Sequence, residues 1–365
     1  MMDYVKRFNK LLEILQNSNL DGIFLAPSSD LEYTTGLKLH PDSRFKGVMI
    51  SKNGESFALC PSLYREEMEA ALPESTAILE WKDGQGFVEV FKDGIKALGL
   101  NNGRVAFNAG VKAVDMLDAV LETNITCVNG ASVLSPLRRS KDEQELDFLR
   151  AASRNNDAVM EDLKNFIRPG VTEKDIAKHI MFLHEKRGGV PRYPVVASGI
   201  NGSMPHYGGQ DNRIIQNKDI IIVDTGAWYN SYNCDMTRMF FIGDPTEEQK
   251  KVYRIVLEAQ NVGEEEATLG AIPEDIDNKA RKVIETAGYG AAFTHRLGHG
   301  TGMDPHEDPF IVAGNKRPLE VGNCFSIEPG IYLKGAFGVR IENLIAITET
   351  GPEVLNKLDK EMIIL

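Results

Sequence analysis

The chain alternates between two hydrophobic periods. Residues 4–15 place Tyr4, Val5, Phe8, Leu11, Leu12 and Leu15 three or four positions apart, which predicts an amphipathic helix. Short apolar runs of strand length follow at residues 21–27, 47–50, 57–60, 77–81, 105–109 and 125–128. Helical spacing returns between them at residues 63–72, 87–98 and 111–121. This alternation predicts an α/β segment, a sheet covered by helices. The stretch after its first strand, Pro27-Ser-Ser-Asp30, lacks the glycines of a phosphate-binding loop, so the segment reads as a scaffold without chemistry of its own. The pattern breaks at Val133-Leu-Ser-Pro-Leu-Arg-Arg-Ser-Lys141, and residues 143–163 are strongly helical beyond it. A domain boundary is expected near Ser140, with one domain over residues 1–135 and a second over 140–365. Pro169-Gly170 closes the long helix, and Thr172 with Glu173 and Asp175 caps the next.

The second domain repeats itself. Gly170-Val-Thr-Glu-Lys-Asp-Ile176 stands 100 positions before Gly270-Ala-Ile-Pro-Glu-Asp-Ile276, and Gly202-Ser-Met-Pro-His206 keeps that offset from Gly302-Met-Asp-Pro-His306. Farther on, Asp224-Thr-Gly-Ala-Trp-Tyr229 is echoed by Glu328-Pro-Gly-Ile-Tyr332, and the acids Asp235 and Glu342 follow in turn. Blocks in the same order at nearly constant spacing point to a duplication, two units packed about a pseudo-twofold axis.

Each unit carries two acids at the ends of a hairpin. Asp219-Ile-Ile-Ile-Val-Asp224 and Asp235-Met-Thr-Arg-Met-Phe-Phe-Ile242 read as strand, turn, strand. Alone, the two aspartates are most simply solvated strand ends. Four carboxylates at the seam of two units would instead repel one another unless divalent cations neutralised them. His299, in Leu297-Gly-His-Gly-Thr-Gly302, is a candidate nitrogen ligand, its glycines removing bulk and permitting an unusual backbone path. Oxygen donors with one imidazole suit manganese or cobalt better than a structural zinc site, and two ions sharing carboxylates can activate water toward an amide carbonyl.

Composition narrows the partners. A net charge of −12 and a pI near 5.2 argue against nucleic acid and against an anionic membrane surface. Four cysteines, Cys60, Cys127, Cys234 and Cys324, lie far apart without CxxC spacing, so no disulfide framework is expected. Met-Met-Asp-Tyr-Val-Lys-Arg-Phe places charges where a leader's apolar segment would lie, which predicts a cytoplasmic location.

Asp224, Asp235, His299, Glu328 and Glu342, set in DTGA, CDMTR, GHGTG, IEPGIY and VRIEN, resemble the five-ligand dinuclear site of the pita-bread metallopeptidases. The family includes methionine aminopeptidase, aminopeptidase P and prolidase. The resemblance covers roughly Ser140 to the end, and residues 1–135 resemble the creatinase-type domain of the proline-directed branch. It implies an α/β N-terminal domain followed by an α+β pita-bread domain with an internal pseudo-twofold repeat.

It also implies residue roles. Asp224 would hold one ion, His299 and Glu328 the other, and Asp235 and Glu342 would bridge them, with Glu328 accepting a proton from the attacking water. His206 and His306 match histidines that steady the carbonyl or the tetrahedral intermediate, Arg340 matches an arginine near the metals, and His295 falls within the motif. The implied cofactors are two divalent ions, manganese first and cobalt or zinc as alternatives. Substrates would be short proline-containing peptides, the activity an Xaa-Pro dipeptidase with an Xaa-Pro aminopeptidase as the alternative. The protein would be a homodimer, residues 39–44 being a candidate contact with the neighbouring subunit.

The loop over residues 314–322 offers Lys316 and Arg317 but no arginine that can be placed as an anchor for a dipeptide carboxylate. Two rivals come from other classes: a creatinase-like C–N hydrolase without metal, and a non-catalytic pseudo-peptidase that binds peptides. Both lineages lose ligands that this chain retains. His40, His179 and His184 are assigned no role, and the aromatics Trp228, Tyr229 and Tyr232 are read as packing. Strand alternation turns Cys234 away from the face that carries Asp235.

Overall fold

A computed structural model describes residues 3–365 and divides the chain into two compact units, one ending at Arg138 and one starting at Arg139. The first contains α1 (Tyr4–Gln16), β1 (Gly22–Leu25), α2 (Ser29–Thr35), β2 (Gly47–Ser51), β3 (Ser56–Pro61), α3 (Arg65–Ala71), β4 (Ala77–Trp81), α4 (Val88–Ala97), β5 (Arg104–Phe107), α5 (Ala113–Leu121), β6 (Thr126–Asn129) and α6 (Ala131–Arg138). Its strands form one mixed sheet in the order β4-β3-β2-β1-β5-β6. β1 and β2, in the middle of that order, are buried along their whole length, as their unbroken apolar runs require. Phe24, Phe45, Phe57, Phe91 and Phe107 fill the core under the helices.

Two helices depart from the hydrophobic pattern. Nothing in the spacing marked α2, which is set by its ends: Ser28 accepts a hydrogen bond from Leu31 N, and Asp30 and Glu32 fill the first turn. The break read at residues 133–141 is in part α6, which runs through Pro136 and buries Val133, Leu134 and Leu137.

The second unit begins with α7 (Glu143–Leu163) and α8 (Glu173–Lys186), followed by β7 (Val190–Pro191), β8 (Val195–Ser198), β9 (Ile220–Thr225), β10 (Ala227–Tyr229), β11 (Tyr232–Asn233) and β12 (Met236–Phe241). Next come α9 (Glu247–Glu266), α10 (Pro273–Thr286), β13 (Gly298–Gly300), β14 (Glu307–Ile311), β15 (Cys324–Ile327), β16 (Gly330–Leu333), β17 (Phe337–Arg340), β18 (Asn343–Thr348), β19 (Gly351–Val354) and β20 (Ile363–Ile364). The duplication is visible in backbone hydrogen bonds. Gly170 N donates to Ile215 O at 3.0 Å and Gly270 N to Leu319 O at 2.9 Å; Ile215 N returns to Val171 O at 2.8 Å and Leu319 N to Ala271 O at 2.9 Å.

The acid-bearing hairpins are more elaborate than strand, turn, strand. β9 and β12 pair directly, but the chain between them leaves the sheet as β10 and β11, which join β7. Asn230 and Ser231 make that tip with φ of 50° and 67°, the left-handed pair a tight two-residue turn demands. The second half repeats the device, β15 pairing with β18 while β16 and β17 pair as the excursion.

His184, on α8 behind β9, has no exposed surface, and its ring nitrogens lie 2.9 Å from Tyr229 Oη and 3.0 Å from Thr225 Oγ1. Burial, aided by the charges of Arg187 and Arg192, holds its pKa down at about 4 against an ordinary 6.5. The unfolded chain takes up this proton below pH 6.5 and the folded chain does not until about pH 4. Its contribution is therefore intact above pH 6.5 and lost as pH falls through this window, about 3 kcal/mol in all. Urea melts of wild type and His184→Gln between pH 8 and pH 4 are expected to show a shallower acid loss in the variant; parallel profiles would contradict this account.

Candidate metal centre

Strand register brings the four acids together in pairs. Thr237 lies opposite Asp224 across β9 and β12, and Asp235 immediately precedes β12. Ile327 lies opposite Asn343, so the next residues inward, Glu328 and Glu342, share the end of β15 and β18. Thr237 joins the halves: its carbonyl accepts from Glu342 N at 3.2 Å, and its hydroxyl donates to Glu342 Oε2 at 2.7 Å.

β13 delivers His299 between β14 and β15. A Cβ on Gly298 would stand 1.8 Å from Ser326 O, and one on Gly300 2.4 Å from Glu307 O. The glycines are needed for close approach alone, because neither has a left-handed φ, and the unusual backbone path expected from the sequence is not used. His299 Nδ1 lies 3.1 Å from Gly300 O, which leaves Nε2 facing Glu328 Oε1 at 3.2 Å.

The electrostatics are those of acids short of positive charge. Burial, opposed by Arg192 and reinforced by Asp224, pushes the Asp235 carboxyl up to about 6. Burial and the charges of Asp235 and Glu328 push Glu342 up as well. For the His299–Glu328 pair burial disfavours both charged forms, but their contact outweighs it, raising the imidazole and holding the Glu328 carboxyl down at about 2. Arg340 braces the opposite side: Nη2 donates to Asp224 Oδ2 at 2.6 Å, Nη1 to Tyr332 Oη at 2.9 Å and Nε to Thr237 Oγ1 at 3.1 Å.

The four acids, His299, Tyr332 and Arg340 line one cavity of about 550 Å³ together with His206, His295 and His306. His206 and His306 are exposed on its wall, the His306 ring 4.0 Å from that of His299. His295 is engaged through both nitrogens, Nδ1 donating to Arg296 O at 2.8 Å and Nε2 accepting from Tyr332 Oη at 2.9 Å, so it fixes Tyr332 and through it Arg340.

Residues 147–349 match the sequence profile of metallopeptidase family M24. The chain belongs to that family. Residues 7–140 match the creatinase/prolidase N-terminal domain, so this M24 chain joins that α/β domain to a pita-bread domain built on the pseudo-twofold repeat. It is 33% identical to a Mycobacterium tuberculosis protein named probable dipeptidase PepE, over 99% of this chain and 96% of the relative. It is 31% identical to a Lactobacillus helveticus Xaa-Pro dipeptidase, over 98% of each. A crystal structure of a prolidase from Thermococcus sibiricus superposes with a TM-score of 0.96 at 34% identity, covering 100% of both chains. Among the described residues no helix is long and apolar enough to cross a membrane.

Membership makes the protein a peptidase and implies divalent metal ions, and the residues present fit such ions. Asp235, His299 and Glu342 are buried, and one ligand atom from each lies within 4.8 Å of the other two. Asp224 and Glu328 line the same cavity. Buried acids that cannot all ionise unaided, with one imidazole and no thiolate among them, form a hard-to-borderline donor set. Cys234 is excluded from it, packed with Ala152, Ala227 and Tyr229. Trp228 donates to Met303 O, and Tyr229 and Tyr232 are buried.

Sequence reading missed four participants. Thr237 could have been found, two residues beyond Asp235 on the same strand face. Ser326, whose hydroxyl accepts from His299 N at 3.0 Å and donates to Glu328 Oε1 at 3.1 Å, likewise lies two positions before Glu328. Tyr332 sat in a quoted motif without a role, and Arg192 had no signal at all.

Proposed function

We propose that the protein is an Xaa-Pro dipeptidase that works with two divalent ions. The observation that carries this reading is the convergence of Asp224, Asp235, Glu328, Glu342 and His299 on one cavity, in a chain similar over nearly its whole length to an Xaa-Pro dipeptidase and a prolidase. Asp224 would hold one ion, His299 and Glu328 the other, and Asp235 and Glu342 would serve both. Manganese is the preferred metal, with cobalt or zinc as substitutes. Bound there, the ions supply Lewis acidity toward the scissile carbonyl and acidify the attacking water. Glu328 accepts the proton that this water gives up. His206 and His306 meet the developing oxyanion from the cavity wall. Arg340 keeps Asp224 oriented. Residues 140–365 form the catalytic domain and residues 1–135 the creatinase-like domain of a cytoplasmic homodimer that acts on short proline-containing peptides and binds neither nucleic acid nor membrane.

One observation favours an Xaa-Pro aminopeptidase instead. Arg317 lies 3.5 Å from Glu320 and does not line the cavity, so its loop supplies no anchor for a dipeptide's carboxylate. The two readings separate in one assay. With Mn²⁺ present, kcat/KM for Leu-Pro is expected to exceed that for Leu-Pro-Ala by about tenfold or more. Cleavage confined to the tripeptide would establish the aminopeptidase.

A further inference from the structure

Arg192 stands in the centre without a place in the mechanism. It follows β7, and its backbone N donates to Gly226 O at 3.0 Å. Its side chain, 22% exposed, runs along the cavity wall until Nη2 donates to Asp235 Oδ1 at 2.7 Å. Its Nε is buried and finds no hydrogen-bond partner among the described residues. The fold leaves no room for a side chain between them: a Cβ on Gly226 would stand 2.2 Å from Cys234 O, 2.3 Å from Arg192 Nη2 and 2.8 Å from Nε. A guanidinium admitted past a glycine, pressed on one carboxylate and left short of acceptors, is a poor structural brace. It is, however, a cation placed where the site requires cations.

We infer that Arg192 is a resident counter-cation for Asp235, stabilising the metal-free site and weakening the binding of the second divalent ion. The inference rests on the dinuclear reading of this site. Arg340 already neutralises part of the charge at Asp224. A first ion enters a cluster still rich in negative charge. A second ion meets what the first ion and Arg192 have left, and both cations repel it at short range in a partly dry cavity. Occupancy of the second position thereby depends on ambient metal, and Arg192 sets that dependence as a positioning residue on a shared carboxylate.

Mn²⁺ titration of the full chain, with free Mn²⁺ counted by electron paramagnetic resonance, tests this. Wild type is expected to bind in two steps. Arg192→Met is expected to tighten the second step by about tenfold or more and to lower the melting temperature of the metal-free protein. Arg192→Lys, which keeps the charge, is expected to stay within about threefold of wild type on the second step. A role in packing alone would move the melting temperature without tightening the second step. The inference is overturned if Arg192→Met leaves that step unchanged or weakens it, or if Arg192→Lys tightens it as much as Arg192→Met. Wild type that takes up no Mn²⁺ would overturn the metal centre itself, a result distinct from a failure at Arg192.

Discussion

Replacing Asp235 by asparagine is expected to lower kcat/KM toward a Xaa-Pro dipeptide by at least about a thousandfold while leaving the fold intact. The asymmetry follows from what the side chain touches. Asp235 is 3% exposed, and its carboxylate accepts from Arg192 Nη2 at 2.7 Å. An asparagine of the same volume still offers Oδ1 to Nη2, so no cavity opens and the guanidinium is not stranded. The lost property is charge. In the proposed dinuclear centre Asp235 would serve both ions, so a neutral amide would leave each with a weaker donor. Activity assayed with excess Mn²⁺, the manganese content after dialysis and the melting temperature together check the prediction. A variant that retained two ions and full turnover would remove Asp235 from the ligand set. Alanine is the poorer probe, because it takes away the carboxylate that accepts from Arg192 and mixes a folding defect with a chemical one.

The legible part of this molecule was whatever recurs with a period. Strand runs such as residues 77–81 declared themselves because a half-buried or buried strand must present apolar residues in a short block, and β4 occupies Ala77–Trp81. The repeat was legible because duplicated units keep their spacing, and α8 and α10 start 100 residues apart at Glu173 and Pro273. α2 was hidden for the converse reason: its large apolar residues, Leu31 and Tyr33, stand two apart and mark no helical period, so capping at Ser28 carries the signal. The hairpin tips were hidden too. Register depends on pairing between distant segments, and nothing within residues 226–233 states that β10 will leave β9's sheet to meet β7.

The candidate site divides along the same line. Its acids and histidine were findable because each sits in a local motif, and the structure lines one cavity with all five. The groups that orient them are set by three-dimensional approach. His295, given no firm role from sequence, touches Tyr332, which touches Arg340, which touches Asp224; no spacing rule encodes that chain. Arg192 is the extreme case, an arginine in a short connection that passes close to Gly226 to reach Asp235, 43 residues on.

Arg238 should prove the most costly side chain to lose for stability. It has no exposed surface, and each of its five N–H donors is used: Nε on Asp359 O at 3.0 Å, Nη1 on Thr237 O at 3.0 Å and Glu342 O at 2.7 Å, Nη2 on Asn343 Oδ1 at 2.8 Å and Leu358 O at 2.7 Å. Burial disfavours the charge, so these acceptors are what holds the guanidinium in the core. Exchanging a buried ionic cluster wholly for hydrocarbon can be harmless, because both partners leave together. Here four of the five acceptors are backbone carbonyls, which no side-chain change removes. Arg238→Met fills much of the space and leaves those carbonyls without their donor, at a cost of about 3 to 5 kcal/mol. The damage should spread to the C-terminal segment, since Leu358 and Asp359 lie just before β20, which pairs with β12 through Phe240 and Phe241. Lys360 would still tether that segment to α9, its side chain through Gln260, Asn261 and Glu264 and its carbonyl through Tyr253 Oη at 2.6 Å. The expected result is a lower urea midpoint for Arg238→Met, with faster amide exchange at residues 358–365. A midpoint shift worth less than about 1 kcal/mol would mean that water or a shifted tail replaces the guanidinium at little cost.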